Sequence, residues 1–402
     1  MSANITYSTC ITAPDIHTLR VRWADGSTLE RPILELNDDK QLEISFDELS
    51  HNTHLYTYTL LHLNSDNTQS DLQTSEYVEG FTTVDITDYD YSINTQQLYT
   101  HYSFLFPNDD MKPTVSGNYA IQIYEDGDKD KTIALVCFSI VEPLTQIECN
   151  VRSNTTKELS GRYQQLDIDV SLENLKTVNP AQEIKLAVKQ NNRNDNAVFD
   201  IAPTYIEGHK LRYINRNELI FEGGNEFRHF DIGSQYVLGY NVDKIYFDHR
   251  QYHAFLFQDE LLNGRAYTTQ NDANGQFVIN AERTDDDDYE ADYMWAHFLL
   301  EADKPFFDGI LYIGGDLCYN RLSADNRMDY DDEHKAYFGA LYLKQGGYDY
   351  QYRLKKKNEQ SCTLERTEGS FWQTHNEYTI YVYFRPFGSR ADRLVGVEVI
   401  KN

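Results

Sequence analysis

Cysteine and basic residues are scarce in this chain of 402 residues, and each shortage narrows what it can be. The five cysteines, Cys10, Cys137, Cys149, Cys318 and Cys362, are scattered without a Cys-x-x-Cys pair. That leaves no thiol-redox motif and no cysteine-based zinc site, so small buried hydrophobes are their expected role. Lys and Arg number 36 against 64 Asp and Glu, giving a formal charge of −28. A body this acidic repels phosphate backbones and anionic lipid, so no nucleic-acid partner is expected and solubility is the plain use of the charge. No apolar run reaches membrane-spanning length. The longest, Ile133–Val141, is interrupted by Ser139 and fits a buried strand, so no direct membrane insertion is expected. Met1–Cys10 lacks the basic start and apolar stretch of a signal peptide. The sequence therefore reads either as a protein that is not exported or as a mature form behind an initiator Met.

Catalytic signatures are missing too. There is no GxSxG, no Walker A, no GxGxxG and no Cys/His arrangement at a known family spacing. With 64 carboxylates some pair must fall at hydrolytic distance by chance, so abundance says nothing for a glycosidase. Asp126, Asp128 and Asp130 have the spacing that opens a calcium loop, but position twelve would be Cys137 and the glycine is misplaced at Gly127. A hairpin turn explains the segment better. Asp331–His334 and Asp248-His249 also fall short of any metal-site spacing and read as exposed loops. The expectation is no catalytic residue, no metal and no cofactor.

What the chain does have is tyrosine, 31 of them against 4 Met, and a bias of this kind favours pleated, half-buried surfaces. Gln41–Phe46, Leu55–Leu61 and Tyr119–Tyr124 alternate with period two, and Asp25-Gly26, Asp126-Gly127 and Asn274-Gly275 supply hairpin chemistry between such runs. The fold class is all-β, as tandem β-sandwich domains of immunoglobulin-like or E-set-like type. Ile133–Val141 closes a first sandwich at residues 1–143. A second, 144–284, holds Leu166–Val170 and Ile184–Val188 and ends with the strand Gln276–Asn280. The acidic run Asp285–Asp288 reads as a solvated linker, since like charges resist burial. A third unit, 285–402, runs from Ala291 to the strand Val395–Ile400.

Two aromatic clusters remain as candidate contact sites. One is Tyr89, Tyr91 and Tyr99, followed by Tyr102, Phe104 and Phe106, which read as the inward positions of a strand. The other is Asn225, Glu226, Phe227 and Arg228, where Phe221, Phe227 and Phe230 bracket the arginine. A guanidinium there can stack on a ring and fork to a carboxylate, serving either as an interdomain clamp or as a partner contact. Gly223-Gly224 lets the backbone approach something closely.

With these residues in view, the chain resembles the type IX secretion system plug protein family. The likeness rests on GFTTVDITDYDYSINTQQLYTHYSFLFPN (Gly80–Asn108), SGNY (Ser116–Tyr119), FEGGNEFRHFD (Phe221–Asp231), DANGQF (Asp272–Phe277), EADY (Glu290–Tyr293), LKQGGYDYQY (Leu343–Tyr352) and RPFGSRADRLVG (Arg385–Gly396). The resemblance implies a non-enzymatic periplasmic protein whose partner is the large outer-membrane β-barrel translocon, closed by the plug when no cargo is engaged. It supplies no catalytic residues. The competing reading is a carbohydrate-binding accessory protein. Gly309 through Gly315-Asp316 to Tyr348–Tyr352 is faintly similar to the sandwich appendages of starch-active enzymes. That region offers Tyr319 and Asn320 but no Trp, while Trp295 and Trp372 lie elsewhere.

Overall fold

The computed structural model describes residues 6–27, 29–158 and 161–402. Strand takes 46% of the chain and helix 5%, so the period-two alternation has the meaning expected of it. Three sandwich-type cores organise the sheets.

In the first, Cys10–Ile11, Thr132–Val141, Gly117–Glu125, Tyr56–Leu63 and Val84–Ile86 lie side by side, with Ile33–Glu35 running parallel to Thr132–Val141. The facing sheet orders Ile16–Trp23, Leu42–Glu48, Thr100–Phe106 and Asp88–Tyr91. Leu42, Ile44, Phe46, Tyr102 and Phe106 are all fully buried between them, and Phe104 packs at the margin. The alternate positions of the same strands carry Glu43, Ser45, Asp47 and His101, which turn away from this core.

The second sandwich is built from two distant pieces of chain. Gln146–Arg152, Tyr163–Ser171, Lys210–Tyr213 and Tyr205–Glu207 form one sheet, with Ile220–Glu222 added to Tyr163–Ser171. The opposing sheet pairs Ile184–Gln190 with Glu377–Phe384 and that strand with Arg393–Lys401. Leu166, Ile168, Leu186 and Val188 therefore share a core with Tyr378, Ile380, Val382 and Val395.

The third sandwich is inserted between these pieces. Arg228–Asp231, Phe277–Ile279 and Gly309–Gly314 all pair with the long strand Gly346–Lys356. They face a sheet of Val242–Phe247, Tyr252–Leu256, Tyr293–Glu301, Ala336–Lys344 and Asp329–Asp331. Phe230, Val242 and Ala254 are packed in one core with Met294, Phe298 and Tyr350.

Two expectations need correction. The cores do not divide at 284/285, because residues on both sides of that point fill the third core, and Val395–Ile400 belongs to the second sandwich. Strand pairing across about two hundred positions leaves no local mark in sequence. Asp285–Asp288 is not a solvated linker either. Asp286 accepts from the Asp288 amide to cap a short helix, Asp287–Glu290, Asp287 accepts from the Ala281 amide at 2.9 Å, and Asp288 is held by two arginines of the first sandwich. Local repulsion was offset by cations from elsewhere in the chain.

Candidate functional site

At Ser45, Asp47 and His101 the polar faces of Leu42–Glu48 and Thr100–Phe106 do not meet water; the third sandwich covers Asp47 there. A bulge begins this seam. Register shifts between His17 and Arg20, and Thr18 takes a positive φ of 49°, unusual for a β-branched residue. The kink lets the Thr18 hydroxyl meet the Tyr293 hydroxyl at 2.5 Å and the Leu19 amide donate to the Tyr319 hydroxyl at 3.0 Å.

At its centre the Lys344 ammonium donates to Asp47 Oδ2 at 2.7 Å and to the Asp288 carbonyl at 2.8 Å, and it lies 4.1 Å from the centroid of the Tyr99 ring. Both charged side chains are 0% exposed. Asp47 also accepts from the Tyr293 hydroxyl at 2.7 Å and meets His101 Nδ1 at 2.5 Å. Burial pushes the Asp47 carboxyl up, but the Lys344 ammonium and His101 overcome it and hold it at about 2. Burial pulls Lys344 below its usual range, with Asp47 opposing. The carboxylate has three donors and the ammonium fewer matched acceptors, so the negative end of the pair is the better stabilised.

Around this pair, Arg20 and Arg22 both bind Asp288. Asp292 accepts the amides of Gln96 and Gln97 at 2.7 and 3.0 Å, and the Ile93 amide donates to the Tyr289 carbonyl. Tyr99, expected as a clamp or partner contact, is fully buried here and donates its hydroxyl to the Ala291 carbonyl at 2.9 Å. This seam is a fastening. Asp47, Tyr293 and Lys344 are closed off, so the hydroxyls and carboxylates present have no approach for a substrate.

A second junction ties the first sandwich to the other. Asp392 accepts the Ser65 amide and pairs with Lys185 and Arg385, Arg31 Nε meets Glu377 at 2.6 Å, and the Tyr383 hydroxyl donates to Asn118. Val141, Ala187, Tyr381, Tyr383 and Leu394 pack between them.

Arg228 serves the inside of the third sandwich. Its guanidinium binds Glu368 at 2.9 Å and Asp259 at 2.7 Å, donates to the Glu260 carbonyl, and lies 5.2 Å from the Tyr352 ring centroid. Burial lowers its proton affinity, and Glu368 and Asp259 more than restore it. Phe227 is buried against Gly275, where φ is +86° and a Cβ would sit 2.6 Å from the ring. Asn225 donates to the Glu368 carbonyl, and Glu226 meets His375 Nδ1 at 2.8 Å. Gly223 passes so close to the Phe371 carbonyl that a Cβ would lie 2.0 Å away. The structure therefore places Asn225, Glu226 and Phe227 on the chain that enters the third sandwich from the second, and Arg228 on the strand just inside it, in contacts separate from those of Tyr99.

Tyr89 and Tyr91 differ from all of these. They lie on Asp88–Tyr91, the last strand of its sheet, every residue of which is exposed, and Phe81, Ile93 and Leu98 are exposed in the same stretch of chain. An edge strand with open backbone groups is a template for added pairing. Sequence reasoning missed Lys344, Asp47 and Asp288. The one usable signal was Lys344 inside the LKQGG motif, at the end of an apolar strand.

All three sandwiches also wall a cavity of about 460 Å³, with Arg31 and Ser139 from the first, Lys189 and Tyr381 from the second, Phe277 and Tyr319 from the third. Tyr319, named above in the comparison with starch-active enzymes, is turned into this junction, and Asn320 is buried beside Asp316. Among the described residues no group of three or more His, Cys, Asp and Glu is placed to hold a metal. Asp126 instead pairs with Lys131 at 2.9 Å and Asp128 caps a 3₁₀ turn.

A family model described as the type 9 secretion system plug protein 1st domain matches residues 16–142. A crystal structure of a hypothetical protein from Parabacteroides merdae ATCC 43184 is 38% identical, covers 99% of this chain and 100% of its own, and superposes with a TM-score of 0.96. No curated protein matches the chain. The match at 16–142 spans the first sandwich, with its exposed edge and its half of the seam, and this part of the chain is a first domain of the type IX secretion system plug protein family.

Proposed function

We propose that the protein is a non-enzymatic subunit that closes the periplasmic opening of the type IX outer-membrane translocon barrel while no cargo is engaged. Its family membership supports a plug role in this secretion system and a periplasmic or outer-membrane-associated place. The observation that carries the finer reading is the buried seam. A plug must be a rigid body wider than a strand or a hairpin, and the Lys344–Asp47 pair with its ring of hydrogen bonds fixes the first and third sandwiches as one object. Release requires a moderate, polar contact rather than an obligate apolar one. The exposed edge Asp88–Tyr91, with two carboxylates and two tyrosines, has that character. Net acidity would pair with basic residues at a barrel rim.

The test is co-purification of the translocon with a tagged copy, in ordinary cells and in cells lacking the cargo-shuttle subunit. Recovery that rises without the shuttle supports a plug that yields to cargo; no recovery in either strain defeats the reading. One feature favours the carbohydrate alternative. Trp372 is 41% exposed and lines a groove with Asn263, Arg265, Glu365 and Gln373. Retention on a polysaccharide column, lost in Trp372→Ala, would bring it forward.

A further inference from the structure

The basic residues around the cavity shared by the three sandwiches are each matched by an acid, with one exception. Arg20 and Arg22 are paired with Asp288, Arg31 with Glu377, and Glu30 with Lys401. Lys189 lines the same space and, among the described residues, has no ion pair and no hydrogen bond to its ammonium. Its Nζ lies 6.0 Å from the centroid of the Tyr381 ring, which also faces the cavity. Burial depresses its proton affinity; the Cys137 thiol opposes this and Arg31 adds to it. The one other acid on the wall besides Glu30 is Asp316. Its carboxylate takes Asn320 Nδ2, and its proton affinity is raised by burial with Arg31 opposing. Arg31 is 6% exposed, and its Nη2 has no acceptor among the described residues. A half-buried cation without a counter-charge is costly, and so is a buried donor without an acceptor. In a protein that carries −28 overall, this is a local cationic site facing a space of ligand size, about 300–1,000 Å³ being usual.

We infer that this cavity binds a monocarboxylate with a flat, partly apolar body, the carboxylate meeting Lys189 and Arg31 and the body lying among Tyr381, Tyr383, Phe199 and Phe277. One unmatched cation calls for one negative charge, which favours a carboxylate over a doubly charged phosphate. The ring-lined wall calls for an aromatic or comparably flat body. The carboxylate could end a peptide chain or belong to a free organic acid. Because the walls come from three sandwiches, occupancy would stabilise their assembly in proportion to ligand concentration. This inference stands independently of the translocon reading.

The test is calorimetric titration of the full chain with N-acetyl-L-phenylalanine and with its amide, and with a tetrapeptide ending in phenylalanine as free acid and as amide. The acid should bind at least about tenfold more tightly than the matching amide, as expected for a hydrogen-bonded charge pair. Binding of the small acid alone identifies a free organic acid, and binding of the peptide acid identifies a chain end. Lys189→Met should weaken acid binding by about tenfold or more, while Lys189→Arg should hold it within about threefold. Equal binding of acid and amide, no binding of any probe at about 1 mM, or full affinity in a folded Lys189→Met protein would overturn the inference. The comparison of acid with amide uses the unaltered protein, so it decides even if a variant does not fold.

Discussion

Lys344→Met removes the cation from the centre of the seam and leaves Asp47 buried with its charge. Truncating one member of a buried pair typically costs about 3–5 kcal/mol. Here three contacts go: the 2.7 Å ion pair, the bond to the Asp288 carbonyl, and the cation over Tyr99. Asp47 keeps His101 and the Tyr293 hydroxyl, so the loss belongs at the lower end, about 3 kcal/mol. Acidity supplies an independent check. The folded Asp47 carboxyl, at about 2, lies below its unfolded value of 3.8. Its stabilisation, about 2 kcal/mol, is therefore present above 3.8 and lost as pH falls towards 2. Burial of Lys344 acts oppositely, since its folded value is depressed and its protonation is a cost that alkaline pH relieves. Without the ammonium the Asp47 carboxyl should rise and bind a proton at higher pH, so the gap between variant and wild type should narrow on acidification. Urea unfolding followed by Trp fluorescence measures this, because Trp295 packs on Tyr342 next to Tyr293. The double variant Asp47→Leu/Lys344→Met should recover most of the loss, because replacing both partners leaves no orphaned charge. A loss below about 1 kcal/mol in Lys344→Met, or a gap that does not change with pH, would refute the claim that the pair fastens the sandwiches.

Arg228→Ala should destabilise the protein by about 3–5 kcal/mol, seen in the same titration, because it strands Glu368, which is 0% exposed, beside Asp259. His62 is held neutral by burial, at about 4 against an ordinary 6.5. Its folded value is depressed, so stability should fall by about 3 kcal/mol as pH drops from 6.5 through 4, and His62→Gln should flatten that difference in a series of unfolding curves. Gly80 has φ +101° and its added Cβ would sit 2.3 Å from the Asp110 carbonyl oxygen, so Gly80→Ala should cost at least about 2 kcal/mol. Tyr89→Ser/Tyr91→Ser on the open edge should cost no more than about 1 kcal/mol of stability. In co-purification the same double variant should lower translocon recovery roughly tenfold or more; unchanged recovery would remove this edge from the contact.

The strands were legible where alternation was local. Leu42–Glu48, Tyr56–Leu63 and Gly117–Glu125 each fall on a run of period two, and Asp126 and Gly127 take the positive φ their turn requires. Tyr102, Phe104 and Phe106 face inward together, as their spacing predicts. What escaped was whatever depends on distant chain. Period two marks one face of a strand as polar but cannot say that Asp47 and His101 meet the third sandwich instead of water. The same blindness misread Asp288, whose partners Arg20 and Arg22 lie far back in the chain. Arg228 was recognisable as a forked, ring-stacked guanidinium from its neighbours, but only the fold assigns its carboxylates to Asp259 and Glu368. Tyr89, Tyr91 and Tyr99 look alike in sequence, yet a strand edge leaves two exposed while the seam buries the third.

The most direct test of the plug reading is electrical. The purified translocon, reconstituted in a planar bilayer, should conduct, and adding this protein from the periplasmic side should abolish most of the current. The Tyr89→Ser/Tyr91→Ser variant should block it poorly. A translocon that binds the protein yet conducts unchanged would contradict the account.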